Sequence, residues 1–142
     1  MTAAVRIAVG VGLFVVLAAL AWWLEHRRRN DAPTRARGDF PAQLDRHDFA
    51  RPDASWLVVL FTSKNCDSCG GLYEKAASLE SDEVAVSEVE YFANPELHER
   101  YHIDAAPMTL VADAEGVVRA SMLGAFAAGD LWSVVAEVRA EE

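Results

Sequence analysis

Eighteen consecutive residues, Ile7 to Leu24 (IAVGVGLFVVLAALAWWL), carry no charge. As a helix at roughly 1.5 Å per residue they span about 27 Å, close to the thickness of a hydrocarbon core. Trp22 and Trp23 end the run, where indole rings favour the headgroup layer, and Arg27, Arg28 and Arg29 follow it. A soluble helix apolar on every side needs a large protein to bury it, and this chain has 142 residues. Ala19-Leu20-Ala21 fits the small-x-small pattern of signal-peptide cleavage, but cutting there leaves Trp22-Trp23 at the new terminus, and Arg6 is the only basic side chain before the run. An uncleaved single-pass anchor is the expectation.

Charge divides the chain at the same place. Residues 1–37 hold six arginines against Glu25 and Asp31, a net of +4. Residues 38–142 hold seven basic and twenty acidic side chains, a net of −13, which brings the whole chain to −9. An acidic domain excludes nucleic acid as a partner, because phosphates need basic neutralisation. Five arginines (27, 28, 29, 35 and 37) follow the apolar run and one precedes it, so the positive-inside rule keeps the domain in the cytoplasm, with the extracytoplasmic side as the alternative. Asn30 to Asp39, with Pro33 and Gly38 as breakers, reads as a linker. The expected organisation is an anchor with its Arg-rich flank over 1–29, a linker over 30–39 and one domain over 40–142.

Within that domain, Leu57 to Phe61 is an apolar run that predicts a strand buried on both faces. Cys66-Asp67-Ser68-Cys69 follows, and Cys69 to Leu79 favours helix, with Leu72, Ala76 and Leu79 on one face. Val84 to Tyr91 predicts a second strand. Asn94-Pro95 opens a short helix, Asn as cap and Pro in the first turn. Met108 to Ala112 and Val117 to Leu123 predict a hairpin about the turn Asp113 to Gly116. Leu131, Val134, Val135 and Val138 have the spacing of an amphipathic terminal helix. This order fits an α/β sandwich on a mixed sheet.

The chain has two cysteines, three positions apart. A bridge between them closes too short a loop to constrain the unfolded chain, so their use is chemical: redox or metal. At a strand-to-helix junction Cys66 takes the helix N-terminus, where the dipole favours thiolate, and Cys69 is the more covered, resolving thiol. Asp67 beside Cys66 opposes the thiolate and Lys64 favours it, leaving a modest depression of the Cys66 pKa.

With these elements in place the chain resembles the thioredoxin-fold family over nearly all of residues 40–142, in the manner of a membrane-anchored bacterial thiol-disulfide protein. The strand followed by C-x-x-C is one part of the resemblance. Asn94-Pro95…Tyr101-His102-Ile103-Asp104-Ala105-Ala106-Pro107 is the other, similar to the family's N-P…Y-x-I-x-x-x-P stretch, with Pro107 41 residues after Cys66. The resemblance implies a three-layer thioredoxin-like sandwich behind one N-terminal transmembrane helix. It also implies a cis bond before Pro107, a substrate groove at Ala106 and Pro107, catalysis by Cys66 and Cys69 without cofactor or resident metal, and protein thiols or disulfides as partners. A membrane-bound redox partner fits, because tethering raises local concentration. The chain departs from thioredoxin itself at Asn65 (Trp in thioredoxin), at Asp67-Ser68 (Gly-Pro), and at Leu60, where thioredoxin has its buried acid.

Two rival readings remain open here. A binding or scaffold module keeps the fold without turnover, and Leu60 and Asn65 supply its motive. A Cys/His metal site uses Cys66, Cys69, His98 and His102, the ligand types of structural zinc. Outside that use, His98 is expected at the surface and His102 packed or half-exposed, Glu88 and Glu90 on a solvated strand face, and Tyr91, Trp56 and Trp132 in packing roles.

Overall fold

A computed structural model describes residues 3–30 and 40–141; within the first helix, side chains are described for Val5 and residues 10–23. The chain divides into two compact units, Met1–Ala32 and Pro33–Glu142. In the first, α1 (Ala3–Asn30) is a single 28-residue helix. Val11, Leu13, Phe14, Leu17, Leu20 and Trp22 on it are all exposed. Among the described residues no helix is long and apolar enough to cross a membrane. Part of the run Ile7–Leu24, the side chains of Arg27, Arg28 and Arg29, and the linker from residue 31 through Arg35 and Arg37 lie outside the described residues.

In the second unit the apolar run Leu57 to Phe61 lies within β1 (Trp56–Thr62), all seven residues of which are buried. Its neighbours are β2 (Val84–Glu90), parallel to it, and β3 (Met108–Ala112), antiparallel; β4 (Val118–Leu123) completes the order β2-β1-β3-β4. Period-two alternation sends Val58 and Leu60 to one face, against Leu72 and Ala76 of α2 (Leu72–Ala77) and Leu131, Val134, Val135 and Val138 of α4 (Ala128–Ala140). Leu57, Val59 and Phe61 face the other way, against Leu44, Phe49, Tyr101 and Ile103, with Leu97 of α3 (Pro95–Arg100) at the margin. The result is the expected three-layer sandwich on a mixed sheet. Each fully buried Leu or Phe of β1 stabilises it by roughly 1.5–3 kcal/mol.

Three local expectations are corrected. The helix predicted from Cys69 to Leu79 is an α-helix only over Leu72–Ala77. Gly70 is extended and Gly71 has φ 71°, a left-handed conformation that interrupts the helix and that glycine adopts without a Cβ penalty. His98 is buried, not at the surface. Its Nε2 meets the Val89 carbonyl at 3.0 Å and its ring packs edge-on against Phe61. His102 is exposed, with φ 53°.

Tyr101, at the C-terminal end of α3, joins that helix to the segment before β1. Its hydroxyl donates to the Asp48 carboxylate and accepts the Asp45 N–H at 3.0 Å. Burial first, then the bond to Asp48, pushes its pKa up to about 12. The folded state therefore favours the neutral phenol. Its contribution to stability is complete below the unfolded value of about 10 and is lost as pH rises towards about 12. Alkaline denaturation followed by circular dichroism should show stability falling across that interval, and Tyr101→Phe should flatten the fall.

Candidate functional site

β1 delivers the chain to the cysteine pair. After Thr62 the loop Ser63-Lys64-Asn65 turns, and the Cys66 N–H donates to the Ser63 carbonyl at 3.0 Å. Cys66 is extended and heads a single 3-10 turn, Asp67–Cys69, closed by the Cys69 N–H on the Cys66 carbonyl at 3.2 Å. That turn brings the two Cα atoms to 5.4 Å, and the cysteines are joined as a disulfide. Cys66 therefore does not sit at an α-helix N-terminus, and the dipole expected to favour its thiolate is missing. Both cysteines are half-buried, so burial does not single out Cys69 as the covered partner. What distinguishes Cys66 is the Ser68 hydroxyl, 3.4 Å from its sulfur. Lys64 and Asp67 are exposed on either side of it.

The Ala106–Pro107 bond is cis, as the resemblance implied. Pro107 is buried and Ala106 half-buried, and the Pro107 carbonyl accepts the Gly124 N–H at 2.9 Å. Ala105 and Ala106 share a cavity of about 280 Å³ with Ser63 and Asn65, so the loop before Pro107 and the loop before Cys66 form one concave surface. Tyr91 and Phe92 form its rim, 5.3 Å apart edge to face. Both rings are exposed, and Tyr91 takes its expected packing role at the surface, edge to face with Phe92 and His98. Trp132 is exposed too, its indole N–H on Ser78, whereas Trp56 is core. Among the described residues no group of three or more His, Cys, Asp or Glu is placed to hold a metal; His98 is committed to a backbone carbonyl.

Glu88 is exposed and Glu90 half-buried on the strand face expected to be solvated; what sequence reasoning missed is that this face adjoins the cysteines. Both glutamates stand at the C-terminal end of β2, opposite Leu60 and Thr62 of the parallel β1. The Thr62 hydroxyl donates to Glu88 Oε1 at 2.9 Å. Glu90 accepts the N–H of Lys64 and of Ala93, each at 3.0 Å. With Thr62, Ser63, Lys64 and Gly70, the two glutamates and both cysteines line one cavity of about 240 Å³. Burial works to raise the Glu90 carboxyl, but the backbone N–H groups of Lys64, Phe92 and Ala93 and the Lys64 charge prevail and hold it below its ordinary value. An E-x-E ending a strand parallel to the one that feeds C-x-x-C was the available signal, since sites in such sheets gather at the C-terminal strand ends.

No family model and no curated protein sequence matches the chain. Solved structures do. Thioredoxin-2, a component of malaria parasite protein secretion machinery, aligns at TM-score 0.53 and 15% identity, over 58% of this chain and 82% of that one. The germline-specific thioredoxin Deadhead of Drosophila melanogaster aligns at TM-score 0.52 and 22% identity, over 61% of this chain and 83% of that one. Identities this low speak to architecture alone: the domain that carries Cys66 and Cys69 has a thioredoxin-like fold.

Proposed function

We propose that this chain is a membrane-tethered thiol-disulfide oxidoreductase that exchanges disulfides with protein partners through Cys66 and Cys69. The observation that carries the reading is the pair itself. Two half-exposed cysteines within bridging distance stand at the end of the central strand, beside the concave surface under Ala106. The Cys66 thiolate attacks one sulfur of a partner disulfide, and the other sulfur leaves and takes up a proton. Cys69 then attacks Cys66, releases the partner and closes the Cys66–Cys69 bond. The reverse sequence oxidises a partner dithiol. No cofactor enters either direction.

A scaffold without turnover is the second reading, favoured by Leu60, which is fully buried among apolar side chains where thioredoxin has an acid. Titration of the pair against glutathione separates the two, because only an exchanging pair opens and closes reversibly.

The tether rests on the uncharged run Ile7–Leu24 and on the exposure of its apolar side chains between Val11 and Trp23. The excess of arginine after the run supports a cytoplasmic domain, with the extracytoplasmic side as the alternative. Full-length protein should stay in the membrane fraction after alkaline carbonate washing, and a reporter active only outside the cell, fused after Glu142, should be silent. A chain recovered with Trp22 at its terminus would remove the tether, and a strong reporter signal would reverse the sidedness.

A further inference from the structure

The surroundings of Cys66 are poor for a thiolate. The 3-10 turn supplies no α-helix dipole, and the helix that follows begins only at Leu72. The Thr62 hydroxyl has one hydrogen, and it goes to Glu88. The Lys64 ammonium acts on the Glu90 carboxylate, which also takes the Lys64 N–H. Lys75 of α2 is turned away, its ammonium on the Phe126 carbonyl at 3.0 Å. Ser68 is left as a single neutral donor at 3.4 Å. Against these stand Asp67, next in sequence, and Glu88 and Glu90 in the same cavity; Asp104 adds a further negative charge beside Asn65 in the adjoining cavity.

We propose that Glu88 and Glu90 set the redox poise of the pair: carboxylates from the neighbouring strand oppose ionisation of Cys66 and bias the dithiol towards the disulfide. The proposal rests on the thiol-disulfide reading above and gives it a direction. A dithiol becomes strongly oxidising when its reduced form is stabilised, as happens when the attacking cysteine has a very low pKa. Here the reduced form is penalised instead, so the dithiol gives its two electrons to a partner disulfide. Cys66 bonds to one partner sulfur as the partner S–S bond breaks. Cys69 gives up its proton, bonds to Cys66 and frees the partner as a dithiol. A donor protein dithiol restores Cys66 and Cys69 by the reverse exchange. Glu88 and Glu90 act through Cys66 and are positioning residues, not catalytic ones.

The test uses the full chain in detergent micelles as wild type, Glu88→Gln, Glu90→Gln, the double variant, and Glu96→Gln as a surface control on α3. Glutamine keeps an oxygen for the Thr62 and backbone donors, and circular dichroism verifies the fold. Two quantities are read: the midpoint of Cys66 ionisation by thiolate absorbance, and the equilibrium with glutathione. Each single variant should lower the ionisation midpoint by about half a unit and the double by about one. At a pH above the ionisation midpoints of all the proteins compared, where the change in Cys66 ionisation is felt in full, the double variant should shift the glutathione equilibrium roughly tenfold towards the dithiol, equivalent to about 30 mV for a two-electron couple. Glu96→Gln should change neither. Without any substitution, raising salt from about 0.01 M to about 1 M should lower the wild-type midpoint, because screening weakens the carboxylates. Unmoved or opposite shifts in the double variant, with a pair that still cycles, would overturn the proposal and leave the oxidoreductase reading intact. A wild-type pair that never cycles would remove both.

Discussion

Cys69→Ser should accumulate covalent complexes with partner proteins that dithiothreitol dissolves, and Cys66→Ser should accumulate few. The expectation follows from position. Cys66 heads the 3-10 turn, extended and directly after the loop that shares a cavity with Ala106, and it has the Ser68 hydroxyl at 3.4 Å to support the charge of an attacking thiolate. Cys69 closes the same turn, within bridging distance of Cys66, where it can attack a mixed disulfide formed there. Removing Cys69 deletes the second step and leaves the first, so the mixed disulfide persists. At equal expression the trapping yields should differ by on the order of tenfold, since attack rate follows thiolate character and access. The electrostatic opposition from Glu88 and Glu90 slows the first step in Cys69→Ser, the one of the two variants that retains Cys66, and so reduces the ratio without reversing it. Equal yields would abolish the assigned polarity, and burial would not rescue it, because the two sulfurs are half-buried alike.

Gly116→Ala should destabilise the domain far more than Gly129→Ala. Gly116 turns β3 into β4 with φ 82°, in the left-handed region. A Cβ added there falls 2.0 Å from the Leu44 carbonyl oxygen and 3.1 Å from its carbon. That neighbour is backbone and cannot swing aside, for the Leu44 N–H donates to the Gly116 carbonyl at 2.8 Å and the Leu44 side chain is buried in the core. Strained φ and a displaced Leu44 segment together cost roughly 3 kcal/mol. In a domain of this size that is a fall in Tm of roughly 10–20 °C. At Gly129, inside α4, a Cβ meets nothing within 4 Å, and alanine should be neutral or slightly stabilising because it is the better helix former. Similar melting temperatures for the two variants would mean that the approach of the Leu44 segment to the turn is not maintained in solution.

How far the sequence reveals this protein depends on the range of each interaction. β1, the Met108–Ala112 strand and the Leu131-Val134-Val135-Val138 stripe were legible because burial writes itself as a local pattern of apolar residues. The cis bond at Pro107 was legible through resemblance, from its distance to Cys66, and not through local chemistry. The helix start was misplaced although its cause stands in the sequence: Gly70-Gly71 breaks the run, and the helical composition around it masked the break. His98 was misplaced because a six-residue helix has too few turns to show which side is apolar. Glu88 and Glu90 lie on the solvated strand face expected of them, Glu88 exposed and Glu90 half-buried, but their place at the cysteines was not legible, for a tertiary reason. Alternation marks them as one face of β2, but only the parallel register with β1 places that face beside the cysteines.

The most direct measurement is an equilibrium titration of the full chain. Protein in detergent micelles is incubated in glutathione buffers running from fully reduced to fully oxidised, acid-quenched, alkylated and weighed by mass spectrometry. The expected result is one reversible transition in which Cys66 and Cys69 are lost and regained together, with the same midpoint from either direction and a slope for two electrons. Thiols that stay alkylatable at every ratio, or that take up glutathione without forming the Cys66–Cys69 bond, would contradict the assignment of this pair as a redox centre.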